Sequence, residues 1–220
     1  MSKRVRLFGG LVIGLVGISV SPSSPKAADL SYGEEIYDTC APCHGPFGQG
    51  GGGGLYPRLA GMSADYIIRQ LDNFKTRQRE NIPMIPYTDE RDLPEDDVDV
   101  VAEYLESIKL MTEMPPANGE VDGLIRLKQA KQVLAIPRHP GNAKEGAKIY
   151  AELCVKCHGE KGEGTVKGPL LGGQHIPYLA KQIQSYIDGK RRHLKSKLYF
   201  NQHSPEEINS ILAYLSLLDD

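Results

Sequence analysis

The pentapeptide Cys-x-x-Cys-His occurs twice, as Cys40-Ala41-Pro42-Cys43-His44 and as Cys154-Val155-Lys156-Cys157-His158, and nothing else in the chain constrains its folding as strongly. Two thiols three positions apart can each add to one vinyl group of a single haem, and the following histidine is then held under the iron as a ligand. A haem also supplies a large flat apolar body, which suits a chain poor in aromatics and without Trp. The two motifs use all four cysteines, so none is left for a disulfide. A zinc site or a thioredoxin-like redox pair would also use paired cysteines. Neither calls for His directly after the second Cys in both pairs. The motifs therefore predict two covalently bound haem c groups, attached at Cys40, Cys43, Cys154 and Cys157, with His44 and His158 on the irons.

A chain of 220 residues with 40% hydrophobic and 25% charged residues is an ordinary soluble composition of one or two domains. Its first 28 residues hold Lys3, Arg4, Arg6 and Lys26 and no acid. A basic start, an apolar run from Leu7 to Val20 and a small polar exit from Ser21 to Ala28 form the pattern of an export signal. The apolar run of 14 residues is shorter than the roughly 20 that span a bilayer, so cleavage is predicted near Ala27 or Ala28 in place of a retained anchor. The site is imperfect, because these cuts put Pro25 or Lys26 at the minus-three position. Export to the periplasm agrees with the motifs, since bacterial c-type haem attachment happens outside the cytoplasmic membrane. The remaining chain has 22 basic and 28 acidic residues, a net charge of −6. That balance argues against nucleic acid or an anionic membrane as main partner.

The chain after the signal repeats itself. Gly33-Glu34-Glu35-Ile36-Tyr37 precedes the first motif as Gly146-Ala147-Lys148-Ile149-Tyr150 precedes the second. Tyr56-Pro57-Arg58-Leu59-Ala60-Gly61 matches Gly168-Pro169-Leu170-Leu171-Gly172-Gly173, and Tyr66, Gln70 and Phe74 match Tyr178, Gln182 and Tyr186. Ala102-Glu103-Tyr104-Leu105 matches Leu212-Ala213-Tyr214-Leu215. Each half then reads as a short helix ending at the first Cys, a Gly-rich loop, a middle helix, a polar loop and a last helix. Ser204 is placed to cap the last helix of the second half, with Pro205 in its first turn and Glu206 and Glu207 at the positive end of its dipole. Val98, Val101, Leu105 and Ile108 are predicted as one buried stripe, and Ile208, Ile211, Leu212 and Leu215 as the other. Pro115-Pro116 and Asn118-Gly119 read as linker, and Leu124 to Ile136 as a helix that straps one domain onto the other or docks a partner. Gly48 to Gly54 lacks the Gly-Lys-Ser/Thr of a phosphate loop and is expected to be a flexible loop close to a haem face.

Together these landmarks resemble bacterial two-haem cytochromes of the cytochrome c4 type, over about residues 31–110 and 141–217. The resemblance implies an all-α fold of two tandem class I cytochrome c domains related by approximate twofold symmetry. It divides the chain into a signal peptide (1–28), a first domain (29–112), a linker with a short helix (113–140) and a second domain (141–220). By the same resemblance Pro57 and Pro169 sit beside the ligand histidines, a nearby backbone carbonyl accepts the second imidazole N–H, and Arg58 reaches a haem propionate. The second half has Leu170 at the Arg58 position, so that contact has no counterpart. The implied function is periplasmic electron transfer without substrate chemistry. Electrons would pass between a dehydrogenase or quinol-oxidising complex and a terminal acceptor, and the membrane would be reached only through such a complex. Alternatives are an enzyme or small-ligand-binding protein with an open second haem, and an electron-accepting subunit of a sulfur- or metal-oxidising complex.

Members of that family usually place a methionine on the distal side of each iron. In the first half Met84, between Pro83 and Pro86, holds the expected position; Met62 lies too near the motif, and Met111 and Met114 follow the last helix. The second half has no Met after position 114. His193 and Lys195 flank the aligned position, which leaves a bis-histidine iron, a lysine-ligated iron or an open one as the expected states.

Overall fold

The structure, a computed structural model, describes residues 30–117, 119, 122–193 and 200–218. The predicted signal (1–28) and Lys195 lie outside the described residues. Among the described residues there is no strand, only three isolated bridges. Nine α-helices are described, and four of them recur in order in each half. In the first half these are α1 (Leu30–Tyr37), α2 (Ala41–His44), α3 (Ala64–Lys75) and α4 (Glu95–Ser107). After α5 (Gly123–Gln132) come α6 (Ala143–Leu153), α7 (Val155–His158), α8 (Ile176–Ile187) and α9 (Pro205–Leu215).

Each half is built on a crossing of its first and last helices, α1 on α4 and α6 on α9. The repeated glycines mark where the helices touch. A Cβ on Gly33 would lie 2.5 Å from Tyr104 Cβ and 2.9 Å from Val100 O. A Cβ on Gly146 would land on Ser210 O and sit 2.9 Å from Tyr214 Cβ. Beside each crossing two tyrosines meet, Tyr37 with Tyr104 at 5.8 Å and Tyr150 with Tyr214 at 5.3 Å between ring centroids. Behind them lie two separate cores. One holds Val98, Val101 and Leu105 with Ile67, Leu93 and Met62; the other holds Ile149, Ile176, Leu179, Ile183, Ile211 and Leu215. Full burial of each large aliphatic stabilises its half by about 1.5–3 kcal/mol. Ile108 and Ile208, predicted in the stripes, are only half-buried; α4 ends at Ser107, so Ile108 has already left the helix. At α9 the predicted cap is a full capping box. Glu207 N donates to Ser204 Oγ (3.2 Å), and Ser204 N donates to Glu207 Oε2 (2.8 Å).

The linker departs from expectation. Helix α5 stops at Gln132, not Ile136, and Leu124, Ile125 and Leu127 on it are exposed, so the helix does not strap the domains together. The segment after it is what packs. Leu134 N donates to Met111 O (2.7 Å) and its side chain is buried. Arg138 Nη1 then donates to Ser216 O (3.0 Å), and His139 N to Ser216 Oγ (2.9 Å). The glycine run also differs from a free loop. Gly50 N donates to His44 O (2.7 Å), Gly51 pairs with Tyr56, and a Cβ on Gly54 would come within 3.1 Å of Pro177 in the second half. These glycines let one domain approach the other as well as the haem motif.

Candidate haem centres and the interface between them

Both motifs fold alike. A single helical turn, α2 or α7, brings Cys at i and i+3 and His at i+4 onto one face. His44 N donates to Cys40 O (3.0 Å) and His158 N to Cys154 O (3.0 Å). A left-handed glycine ends each turn, Gly45 at φ 79° and Gly159 at φ 84°, which a residue with a Cβ rarely adopts. Its carbonyl accepts from the buried tyrosine of the preceding helix: Tyr37 Oη to Gly45 O (2.6 Å) and Tyr150 Oη to Gly159 O (2.8 Å). Burial pushes the Cys40 and Cys154 thiols up to about 11, and the adjacent Cys43 and Cys157 add to that shift.

Proline carbonyls face both histidines. His44 Nδ1 lies 2.9 Å from Pro57 O, and His158 Nδ1 lies 2.8 Å from Pro169 O. A carbonyl can only accept, so each Nδ1 carries the proton and each Nε2 keeps a free lone pair for a metal. Burial also holds both imidazoles below their usual pKa range, against the opposing effect of those hydrogen bonds, and so keeps them neutral. Tyr56 packs edge-on against His44 at 6.3 Å. Its counterpart Gly168 presents backbone: a Cβ there would be 3.0 Å from His158 Nδ1 and 2.8 Å from Cys157 O.

A cavity of about 1130 Å³ opens beside Cys154, Cys157 and His158. His193 lines it too, with its ring centroid 6.1 Å from that of His158. Tyr186 (5.2 Å) and Phe200 (5.7 Å) meet the His193 ring edge-on. The buried Nδ1 of His193 has no hydrogen-bond partner among the described residues, and burial lowers the pKa of the ring, with smaller contributions from His158 and Arg191. In the first half Met84 lies in the turn Ile82–Tyr87, half-buried, with its carbonyl accepting from Thr88 Oγ1 (3.1 Å). Met62 is a core residue. Arg58 is buried, and its Nε donates to Ala60 O (2.8 Å).

Arg58 also marks the domain interface, which sequence reasoning did not resolve. Its backbone N donates to Gln174 Oε1 (2.9 Å) and its carbonyl accepts from Gln174 Nε2 (3.0 Å). His175 Nε2 lies 2.8 Å from Gln49 O, so this histidine joins the domains as well as starting α8. Alongside sits a reciprocal cluster. Arg79 donates to Gln70 (2.9 Å) in its own half and to Tyr178 Oη (3.1 Å) and Gln182 (3.0 Å) in the other. Arg191 donates to Gln182 (2.7 Å) in its own half and to Tyr66 Oη (2.7 Å) and Gln70 (3.0 Å) in the other. Residue i meeting j while the counterpart of j meets that of i is the signature of a twofold axis. The repeated Tyr and Gln positions of α3 and α8 therefore face the partner domain. A polar Gln recurring inside an otherwise apolar stripe was the available signal. The arginines sit in loops of little other similarity.

Two haem-attachment turns, each with a buried neutral histidine held by a proline carbonyl in an all-helical domain, define a dihaem c-type cytochrome. The comparisons agree: the cytochrome c family model matches residues 30–109 and 143–219, and the chain belongs to that family. A cytochrome c4 of Pseudomonas aeruginosa is 27% identical over 211 residues, covering 95% of this chain and 90% of that one. A thiosulfate dehydrogenase electron acceptor of Stutzerimonas stutzeri is 29% identical, covering 87% of each chain. The crystal structure of reduced recombinant cytochrome c4 from Pseudomonas stutzeri shares the fold, with a TM-score of 0.63 and 24% identity over 87% of this chain and all of that one. The protein is a cytochrome c4-like electron-transfer protein that carries two covalently bound haem c groups.

Proposed function

We propose that the protein relays electrons between redox proteins in the periplasm, and that two of its own side chains would hold each haem iron and leave no position for a substrate. The haems supply the one-electron ferric/ferrous couple. His44 and Met84 would hold the first iron, and His158 and His193 the second. Cys40 with Cys43 and Cys154 with Cys157 tether the rings, and Pro57 and Pro169 orient the proximal imidazoles. Arg58 meets a propionate of the first haem.

The observation that carries this reading is the pairing of His158 with His193. Two imidazole rings facing one cavity at this spacing could both ligate a single iron held between them. The ring centroids lie 6.1 Å apart, and the buried Nδ1 of His193 has no hydrogen-bond partner among the described residues. Methionine on one iron and histidine on the other predicts a higher potential for the first haem and hence a preferred position for the electron. Charge supports separate contacts for donor and acceptor. Residues 30–110 carry 15 acidic and 7 basic groups, whereas residues 141–217 carry 7 acidic and 11 basic.

The test is His193→Ala, read by the spin state of the second haem and its reaction with carbon monoxide. Conversion to a high-spin, carbon monoxide-binding haem is expected. A low-spin second haem with an unchanged spectrum would show that another group ligates it. The likeness to a thiosulfate dehydrogenase electron acceptor favours a second reading, in which the donor is a sulfur-compound dehydrogenase. Reduction of the purified protein by such an enzyme tests it.

A further inference from the structure

The cavity beside His158 reaches the domain interface, where Arg79, Arg191 and Arg192 line it together with Arg69. The one carboxylate among its lining residues is Glu152. Arg79 and Arg191 are satisfied only by neutral groups, the tyrosine hydroxyls and glutamine amides described above, and neither forms an ion pair with a carboxylate among the described residues. Arg79 also lies over the Phe74 ring at 4.6 Å, and Arg191 over Tyr186 at 5.0 Å. Half-buried cations in such surroundings have lost part of their hydration and gained no counter-charge, an arrangement that calls for an anion. A porphyrin held at Cys154, Cys157 and His158, which line this same cavity, would carry two carboxylates.

We propose that Arg79, a residue of the first domain, is a carboxylate-binding residue of the second haem pocket and sets the second potential from across the domain interface. The inference rests on the reading that a haem fills this cavity. Two of the three side-chain hydrogen bonds of Arg79 go to the second domain, at Tyr178 and Gln182, and Arg79 lines the cavity beside His158. A ferric haem gains one negative charge on reduction, so a fixed guanidinium nearby favours the reduced form. The second domain has Leu170 where the first has Arg58, so its pocket has no counterpart of that cation.

The test is a redox titration of Arg79→Gln holoprotein in which each ferric haem is followed by its own electron paramagnetic resonance signal. The second haem's signal is the one altered by Gly168→Ala, which acts on His158. The reduction equilibrium of the second haem is expected to fall about tenfold, or 59 mV for a one-electron couple, while that of the first moves less. Arg79→Lys keeps the charge and is expected to stay within about threefold of the parent. Tyr178→Phe keeps the charge and loses a contact, and is expected to stay within about twofold. If both potentials of Arg79→Gln lie within twofold of the parent, or both fall equally, the proposal is overturned. Should Arg79→Gln fail to accumulate, a larger shift in Tyr178→Phe than in Arg79→Lys overturns it, because docking and not charge would then set the potential. A haem content below two in the parent protein would instead refute the underlying reading.

Discussion

The crossing of α6 and α9 offers a sharp test, because two effects of Gly146→Ala oppose one another. In an isolated helix alanine is favoured over glycine by about 0.8–1 kcal/mol. Here the new Cβ lands on Ser210 O, which belongs to the backbone of α9 and cannot rotate away. Relief requires the helices to part by roughly 1 Å, and a gap of that size forfeits a quarter to a half of each contact across it. The contacts at risk join Ile149 and Tyr150 to Ile211 and Leu212. Overpacking of this kind costs about 3 kcal/mol or slightly more, which leaves a net loss of about 2–3 kcal/mol after the helix gain. For a domain of this size that is a fall of about 10–20 °C in Tm. At Gly33 the approach is less close, with Tyr104 Cβ at 2.5 Å and Val100 O at 2.9 Å, so Gly33→Ala is expected to cost less, about 1–2 kcal/mol. Denaturation of the holoprotein, followed by circular dichroism and by haem absorbance, measures both. If Gly146→Ala were as stable as the parent, helix propensity would outweigh the crossing, and the tight approach of α6 to α9 would be refuted.

Two further outcomes follow from the second domain. Gly168→Ala puts a methyl group 3.0 Å from His158 Nδ1 and weakens its bond to Pro169 O; the less strongly donating imidazole should raise the second potential by up to about 20–65 mV, measured by spectroelectrochemistry. Ser204→Ala removes the cap of α9 and should cost about 1 kcal/mol in denaturation. The same box lowers the folded pKa of Glu207, chiefly through the Ser204 backbone N–H. A lowered carboxylate pKa stabilises the fold above the unfolded value and loses that contribution as pH falls through the folded value. The parent should therefore lose stability on acidification below the ordinary glutamate range, and Glu207→Gln should flatten that part of the profile.

Much of the site could be read from local sequence because covalent chemistry is local. A cysteine pair and its histidine occupy one helical turn, so residue order alone fixes the haem tether, and repetition of the landmarks around it fixes two all-helical domains. The prolines were placed beside the histidines by resemblance, and the structure adds that their own carbonyls accept the imidazole protons. The strap expected of the linker helix failed for a different reason. Apolar residues at Leu124, Ile125 and Leu127 satisfy a helical pattern whether or not another surface comes to cover them, and none does among the described residues.

Tertiary structure alone decided which groups meet across the chain. His193 stands in a stretch with several possible ligands. Only folding sets it near His158, because its place depends on the packing of α8, Tyr186 and Phe200 and not on its distance along the sequence from the motif. The same holds for Arg79 and Arg191. Each lies in a loop whose residues have little sequence pattern, and their roles arise from a twofold docking that brings residues about a hundred positions apart within hydrogen-bonding reach. Bond-forming motifs are written in sequence because their atoms are joined by a few covalent links; an interface is written only in space, because its free energy comes from surfaces that meet after each domain has folded.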